Sequence, residues 1–124
     1  MRFRDRVPHR PEALATAAKL GVDMRKLYDV VSAGGANSRM FQMVMPWVLE
    51  GDASHLKGPL RIAGKDMRFY TRLAESAPST AFIAQAVNQT CLLANVQGHG
   101  ERFMPVLPGI LAELNGCTIR DLDA

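Results

Sequence analysis

The chain is short of most of what marks a catalytic or a membrane protein at first reading. It has 2 cysteines and 3 histidines in 124 residues. Cys91 and Cys117 form no CxxC, and His9, His55 and His99 have no partner at i,i+4, so no metal site is expected. Two thiols without a disulfide spacing fit a reducing compartment. No apolar run approaches the roughly 18 residues of a membrane span, which excludes a membrane partner on this reading. MRFRDRVPHR lacks the apolar core of a secretory signal, and a cytoplasmic location is the expectation. No stretch alternates β-branched and polar residues between turn signals, so no sheet is expected. The Gly98-His99-Gly100 pair of glycines lacks a third glycine and a preceding strand. It reads as a helix stop, not a phosphate loop.

Charge is equally uninformative over the body. The net charge is +3. Arg2, Arg4, Arg6 and Arg10 against Asp5 account for all of it, and the remaining residues carry eleven basic and eleven acidic side chains. No basic stripe is visible on the body, so nucleic acid is not expected as a partner. For the arm itself a solvated terminus and a polyanion contact both stay open.

What is present is a series of helical periods in an ordinary globular composition, 48% apolar and 22% charged. Residues 1–10 read as a basic irregular arm, 11–116 as one helical domain and 117–124 as a short mixed tail. The fold class is all-α, with about six helices. The first runs from Pro11 to Lys19 with Leu14, Ala17 and Ala18 inward and Ala13 at the margin of that face, and ends at Gly21. Asp23 caps the second, whose Met24, Leu27, Tyr28 and Val31 form one stripe before Gly34 and Gly35. Asn37 or Ser38 caps the third, through Met40, Phe41, Val44, Val48 and Leu49. Pro46 inside it predicts a kink or break near Met45. The fifth spans Thr80–Gln97 and is apolar on almost every side, so it is expected to be buried or at a subunit contact. The last covers Met104–Leu114.

The fourth helix, Leu60 to about Ser76, organises the chain. Leu60, Ala63, Met67 and Ala74 form one apolar stripe, and Ile62, Phe69 and Leu73 an adjoining one. Two apolar faces predict a largely buried helix. Lys65 and Asp66 lie in its middle, beside Gly64. Such a lysine is either a structural charge whose stem lies on apolar surface or a cleft charge aimed at an anionic ligand.

Four stretches, in order, carry a resemblance: SAGGANSRMF (32–41), PWVLEGD (46–52), PLRIAGKDMRF (59–69) and QGHGERF (97–103). Together with ALATAAKLGVD (13–23) they resemble the C-terminal helical domain of the β-hydroxyacid dehydrogenases. That family includes hydroxyisobutyrate, tartronate-semialdehyde and threonate dehydrogenases and is related to 6-phosphogluconate dehydrogenase; NSRMF and VLEGD look closest to the threonate branch. The resemblance implies a 6-phosphogluconate-dehydrogenase-like helical domain that supplies part of a small hydroxy acid's cleft and most of the subunit contact. It implies NAD or NADP as cofactor of the intact enzyme, held by a Rossmann domain, and a catalytic lysine on a linking helix. Neither is visible in this sequence, so the chain is expected to be a separated back half, inactive alone and binding no cofactor tightly.

By the same resemblance Lys65 is the catalytic-site lysine of the family's K-D pair, near cofactor and substrate, and Asp66 orients neighbouring polar groups on the cofactor side. Asn37 and Ser38 match a polar turn at the cleft edge; helix capping is the equal alternative for both. Arg39 stands where many relatives carry Trp, and Gly58 where many carry Phe. Arg39 is thus either a fork for a substrate carboxylate or a surface residue. The implied partners are a second copy of the chain and a separate Rossmann-domain chain. The alternative is a helical homo-oligomerisation module without chemistry.

Overall fold

The structure, a computed structural model, describes residues 9–123. Among them are six α-helices and no strand: α1 (His9–Lys19), α2 (Met24–Ala33), α3 (Arg39–Glu50), α4 (Leu60–Ser76), α5 (Phe82–Val96) and α6 (Leu107–Leu114), the last preceded by a 3-10 turn at Met104–Val106. The expected all-α class and helix number are what is found. No helix among the described residues is long and apolar enough to cross a membrane. The basic arm lies outside the described residues except for His9 and Arg10, which open α1 two residues before Pro11. Pro11 is tolerated there because first-turn N–H groups have no helical partner to lose. The described residues form two compact units, one from α1 to Lys57 together with everything from Phe103 on, the other Gly58–Arg102.

In the first unit each helix end is chemically specified. Gly21, at a φ of 74°, ends α1. The Asp23 carboxylate accepts from the N–H groups of Arg25 and Lys26 at 2.9 and 3.1 Å and caps α2. Ser38 caps α3, its hydroxyl accepting from Phe41 N–H at 3.0 Å. Gly51 ends α3 in the left-handed region at a φ of 79°, which suits glycine because it has no Cβ to clash. Of the kink or break expected near Met45, the break does not occur: α3 is continuous through Pro46. A proline deletes one backbone bond, and the fully buried Met45 and Trp47 on either side hold the helix in place against that loss.

Trp47 is the centre of this core. It is 1% exposed, and Pro105 and Pro108 are as deeply buried. Gly109 on α6 meets it with no side chain: a Cβ there would stand 2.3 Å from Trp47 Cη2 and 2.9 Å from Leu122 Cδ2. On α1 the inward residues are Leu14 and Ala15; Ala17 and Ala18 are half-buried and Ala13 is exposed. α1 packs on α6, whose Ile110, Leu111 and Ala112 are buried. The tail also joins this core, because Leu122 is buried and Arg120 donates to the Leu49 carbonyl at 2.9 Å.

The second unit is a helical hairpin, α4 and α5 joined by residues 77–81 around Pro78. Met67, Ala84, Val87 and Cys91 form its core, with Ala63 and Ala81 against them. Gly64 lets the helices close, since a Cβ on it would lie 3.3 Å from Cys91 Cβ. α4 has Pro59 at its N-cap and no capping side chain. Instead, backbone carbonyls returning from α5 do that work: Leu60 N–H donates to Arg102 and Arg61 N–H to Gly100, both at 2.9 Å. Gly98, at a φ of 89°, makes the turn that brings them there, and a Cβ on Gly100 would strike Asn95 Oδ1. The two glycines are thus a helix stop and a close approach.

The expectation that α4 is largely buried is corrected, and of the two alternatives for α5 burial within the chain is not what is found. On α4 only Leu60, Gly64, Met67, Thr71 and Ala74 are buried, and the second stripe is open, Phe69 at 59% and Leu73 at 66% exposure. On α5 Phe82, Ile83, Leu92 and Val96 are exposed. A helix paired with one partner has one face to hide, whatever its sequence offers on the others.

Two measurements check this packing. Gly109→Ala is expected to destabilise by about 1–3 kcal/mol through forced displacement of Trp47 or Leu122; thermal unfolding followed by circular dichroism reads it, and an unchanged Tm contradicts the contact. Burial pushes the Cys91 thiol above its ordinary pKa, so its nucleophilic thiolate is scarce. A small uncharged alkylating reagent at neutral pH is expected to label Cys117 first and Cys91 only on unfolding; equal labelling by mass spectrometry would place Cys91 outside the hairpin core.

Candidate functional site

The candidate residues fall into two groups, one in each unit. Asn37, Ser38 and Arg39 sit where the chain turns from α2 into α3. The turn begins at Gly34, follows Gly35 and Ala36, and is closed by Asn37 N–H donating to the Gly34 carbonyl at 3.2 Å. Of the two residues read as possible caps, Ser38 is the cap: its backbone is extended and its hydroxyl takes the Phe41 N–H. Asn37 is not a cap. Its side-chain oxygen accepts instead from Gln42 Nε2 at 2.9 Å. Arg39, the first residue of α3, is exposed.

Gln42 ties this corner together, and sequence reasoning passed over it. Its Nε2 also donates to Ser32 Oγ at 2.9 Å, and its Oε1 accepts from the Tyr28 hydroxyl at 2.8 Å. The Tyr28 ring stacks on Phe41, centroids 6.1 Å apart. One amide therefore joins α2, the glycine turn and α3. A signal for it exists in the sequence: Gln42 is the one polar residue between Met40 and Leu49. A lone amide in an apolar helical run needs partners for its donors and acceptor if any of it is covered.

In the second unit Lys65 and Asp66 are both exposed on α4, one residue past the buried Gly64. The Lys65 ammonium stands 5.9 Å from the Phe69 ring centroid, the outer range of a cation–π contact. Lys65 is therefore neither buried nor paired with a carboxylate of its own hairpin, where Arg61 Nε pairs with Glu101 Oε1 at 2.5 Å. Its ammonium is available to an anion. Nearby, Arg102 Nε donates to His99 Nδ1 at 2.9 Å and steadies the turn that caps α4. Gly58 opens the hairpin unit.

A nicotinamide dinucleotide needs a cradle of backbone N–H groups at a strand-to-helix turn. The described residues contain no strand; the Gly34–Gly35 turn is closed by the Asn37 N–H, and the Gly98–Gly100 turn spends its Gly100 carbonyl on α4 and fills the space above Gly100 with Asn95. They do not fit the pyrophosphate of the cofactor by themselves. Among them there is also no cluster of three metal-ligating side chains.

Comparison with known proteins accounts for this arrangement. Residues 10–105 match the family described as "NAD-binding of NADP-dependent 3-hydroxyisobutyrate dehydrogenase". The chain is 31% identical over 103 residues to an L-threonate dehydrogenase of Cupriavidus necator, covering 80% of this chain and 34% of that protein. It is 31% identical over 102 residues to the chloroplastic glyoxylate/succinic semialdehyde reductase 2 of Arabidopsis thaliana, covering 82% of this chain and 28% of that one. The crystal structure of a 3-hydroxyisobutyrate dehydrogenase from Salmonella typhimurium superposes with a TM-score of 0.74 at 27% identity, over 81% of this chain and 35% of the other. The chain thus spans about a third of the length of the relatives it matches. With the ordered motifs, the helical architecture and the matched span in agreement, the chain belongs to the 3-hydroxyisobutyrate dehydrogenase family of NAD(P)-dependent hydroxyacid dehydrogenases.

Proposed function

We propose that this chain is the substrate-side and subunit-contact domain of an NAD(P)-dependent β-hydroxyacid dehydrogenase, inactive without a nucleotide-binding domain. The observation that carries the reading is Lys65: an exposed ammonium without a carboxylate partner in its hairpin, in the K-D pair of a helix that matches the family. In the assembled cleft such a group stabilises the carboxylate of a small hydroxy acid or the alkoxide that develops on its carbon. Asp66 orients neighbouring polar groups on the cofactor side. Asn37, Ser38 and Arg39 form the substrate corner: Ser38 through the cap that sets the start of α3, Arg39 through a guanidinium whose fork matches a carboxylate. Hydride chemistry belongs to the nicotinamide, NAD or NADP, which a Rossmann domain brings from the same protein or a separate chain. A cytoplasmic location goes with this reading and with two cysteines that form no disulfide.

A second reading has its own observation. α5 carries no charged residue along its 15 positions, and Phe82 and Val96 on it are 82% and 75% exposed. A second copy covering that face makes the chain a homo-oligomer with or without chemistry. The two readings are compatible, because the subunit contact of the first is the whole function of the second.

Pure protein mixed with NAD or NADP and a panel of hydroxy acids is expected to show no change in nicotinamide absorbance; robust turnover overturns the claim that the chain is inactive alone. Light scattering at micromolar concentration is expected to give a dimer or larger species, reduced toward monomer by Phe82→Glu. A monomeric wild type at that concentration removes the homo-oligomer.

A further inference from the structure

The turn at 98–102 closes the start of α4, its Arg102 and Gly100 carbonyls accepting from the N–H groups of Leu60 and Arg61. Backbone bonds hold part of that turn: His99 N–H donates to the Ala94 carbonyl at 2.9 Å and Arg102 N–H to the His99 carbonyl at 3.0 Å. One side-chain bond is added to them, Arg102 Nε to His99 Nδ1 at 2.9 Å, in a partly buried position. The direction of this bond is forced. A guanidinium only donates, and it stays charged at any ordinary pH. His99 Nδ1 must therefore accept, which it can do only without a proton of its own. The ring is the neutral tautomer with its hydrogen on Nε2.

We propose that His99 and Arg102 form an acid-sensitive latch on α4, the helix that carries Lys65. In neutral solution the bare Nδ1 takes the Arg102 Nε–H and keeps the turn, with its two capping carbonyls, against the helix start. Histidine as a residue type changes charge between about pH 5 and 8. A proton on Nδ1 removes the acceptor and sets a second positive charge beside the guanidinium. An attraction becomes a repulsion, the turn loosens, and the first two N–H groups of α4 lose their acceptors. The other ionisable groups of the hairpin at this end do not offset that change. Glu101 is paired with Arg61, the one ionisable side chain at 60–63. The last turn of α5, at 93–96, has none.

The latch is thus closed at high pH and opens as the pH falls. His55 works in the opposite sense, since its Nε2 lies 3.3 Å from an Asp52 carboxylate oxygen and gains an ion pair when protonated. A melting curve of the whole chain adds the two effects together, so the test is read residue by residue. Nuclear magnetic resonance of the 15N-labelled chain does this. At about pH 8 the His99 ring nitrogens are expected to show a bare Nδ1 and a protonated Nε2; a ring protonated on Nδ1 overturns the proposal.

Hydrogen exchange at the Leu60 and Arg61 amides reads the opening. Their protection, corrected for the intrinsic pH dependence of exchange, is expected to fall about tenfold between about pH 8 and about pH 5, the worth of one hydrogen bond to a charged group. His99→Asn is the control. Its side-chain oxygen stands where Nδ1 stood, accepts from the same Nε–H and has no proton to gain, so protection in the variant is expected not to change with pH. Protection that stays constant in wild type overturns the latch, and so does an equal fall in His99→Asn.

Discussion

Trp47 against the bare Cα of Gly109 is the contact on which the first unit depends. It brings α3 and α6 to a separation that no other residue at position 109 permits. It also explains how α3 survives Pro46: the turn that loses a backbone bond is the turn most deeply inserted in the core, with Met45 at 0% and Trp47 at 1% exposure. α3 in turn carries the polar corner at its N-terminal end. The geometry of Asn37, Ser38 and Gln42 is therefore only as well defined as the packing of an indole a little over two turns away.

The hairpin obeys a different constraint. Two helices can hide one stripe each, and small residues decide which. Gly64, Ala84 and Ala94 allow close approach, so the stripe that includes them is the buried one. Larger apolar residues, Phe69, Leu73, Phe82 and Val96, are left outside. This inverts the intuition that the bulkiest side chains mark the interior. It also puts Lys65 in the open next to an exposed phenylalanine.

In the polar corner and at the start of α4, neighbours take up the bonds that the side chains and the backbone offer. Tyr28 and Ser32 consume the Gln42 capacity not spent on Asn37. Arg102 and Gly100 carbonyls consume the first N–H groups of α4, so that helix start is closed by backbone and has no spare donors at Leu60 and Arg61. The Lys65 ammonium, by contrast, meets no carboxylate within its hairpin and lies near only the Phe69 ring.

Much of this was legible in the residues. The helix number, the cap at Asp23, a cap at Asn37 or Ser38, the stops at Gly21 and Gly98, and the absence of strands among the described residues follow from local chemistry, because caps, glycine conformations and helical periods act over a few residues. The ordered motifs also single out Asn37, Ser38, Arg39, Lys65 and Asp66 as candidate positions. Three things were not. Which of two apolar stripes on α4 is buried depended on the partner helix. That Gly100 serves a close approach depended on Asn95 arriving beside it. That Gln42, and not the helix end, holds Asn37 depended on Tyr28 and Ser32 coming from another helix. Local sequence sets where helices begin and end; which of their faces and amides are spent is a matter of neighbours distant in the chain, and only the folded arrangement supplies them.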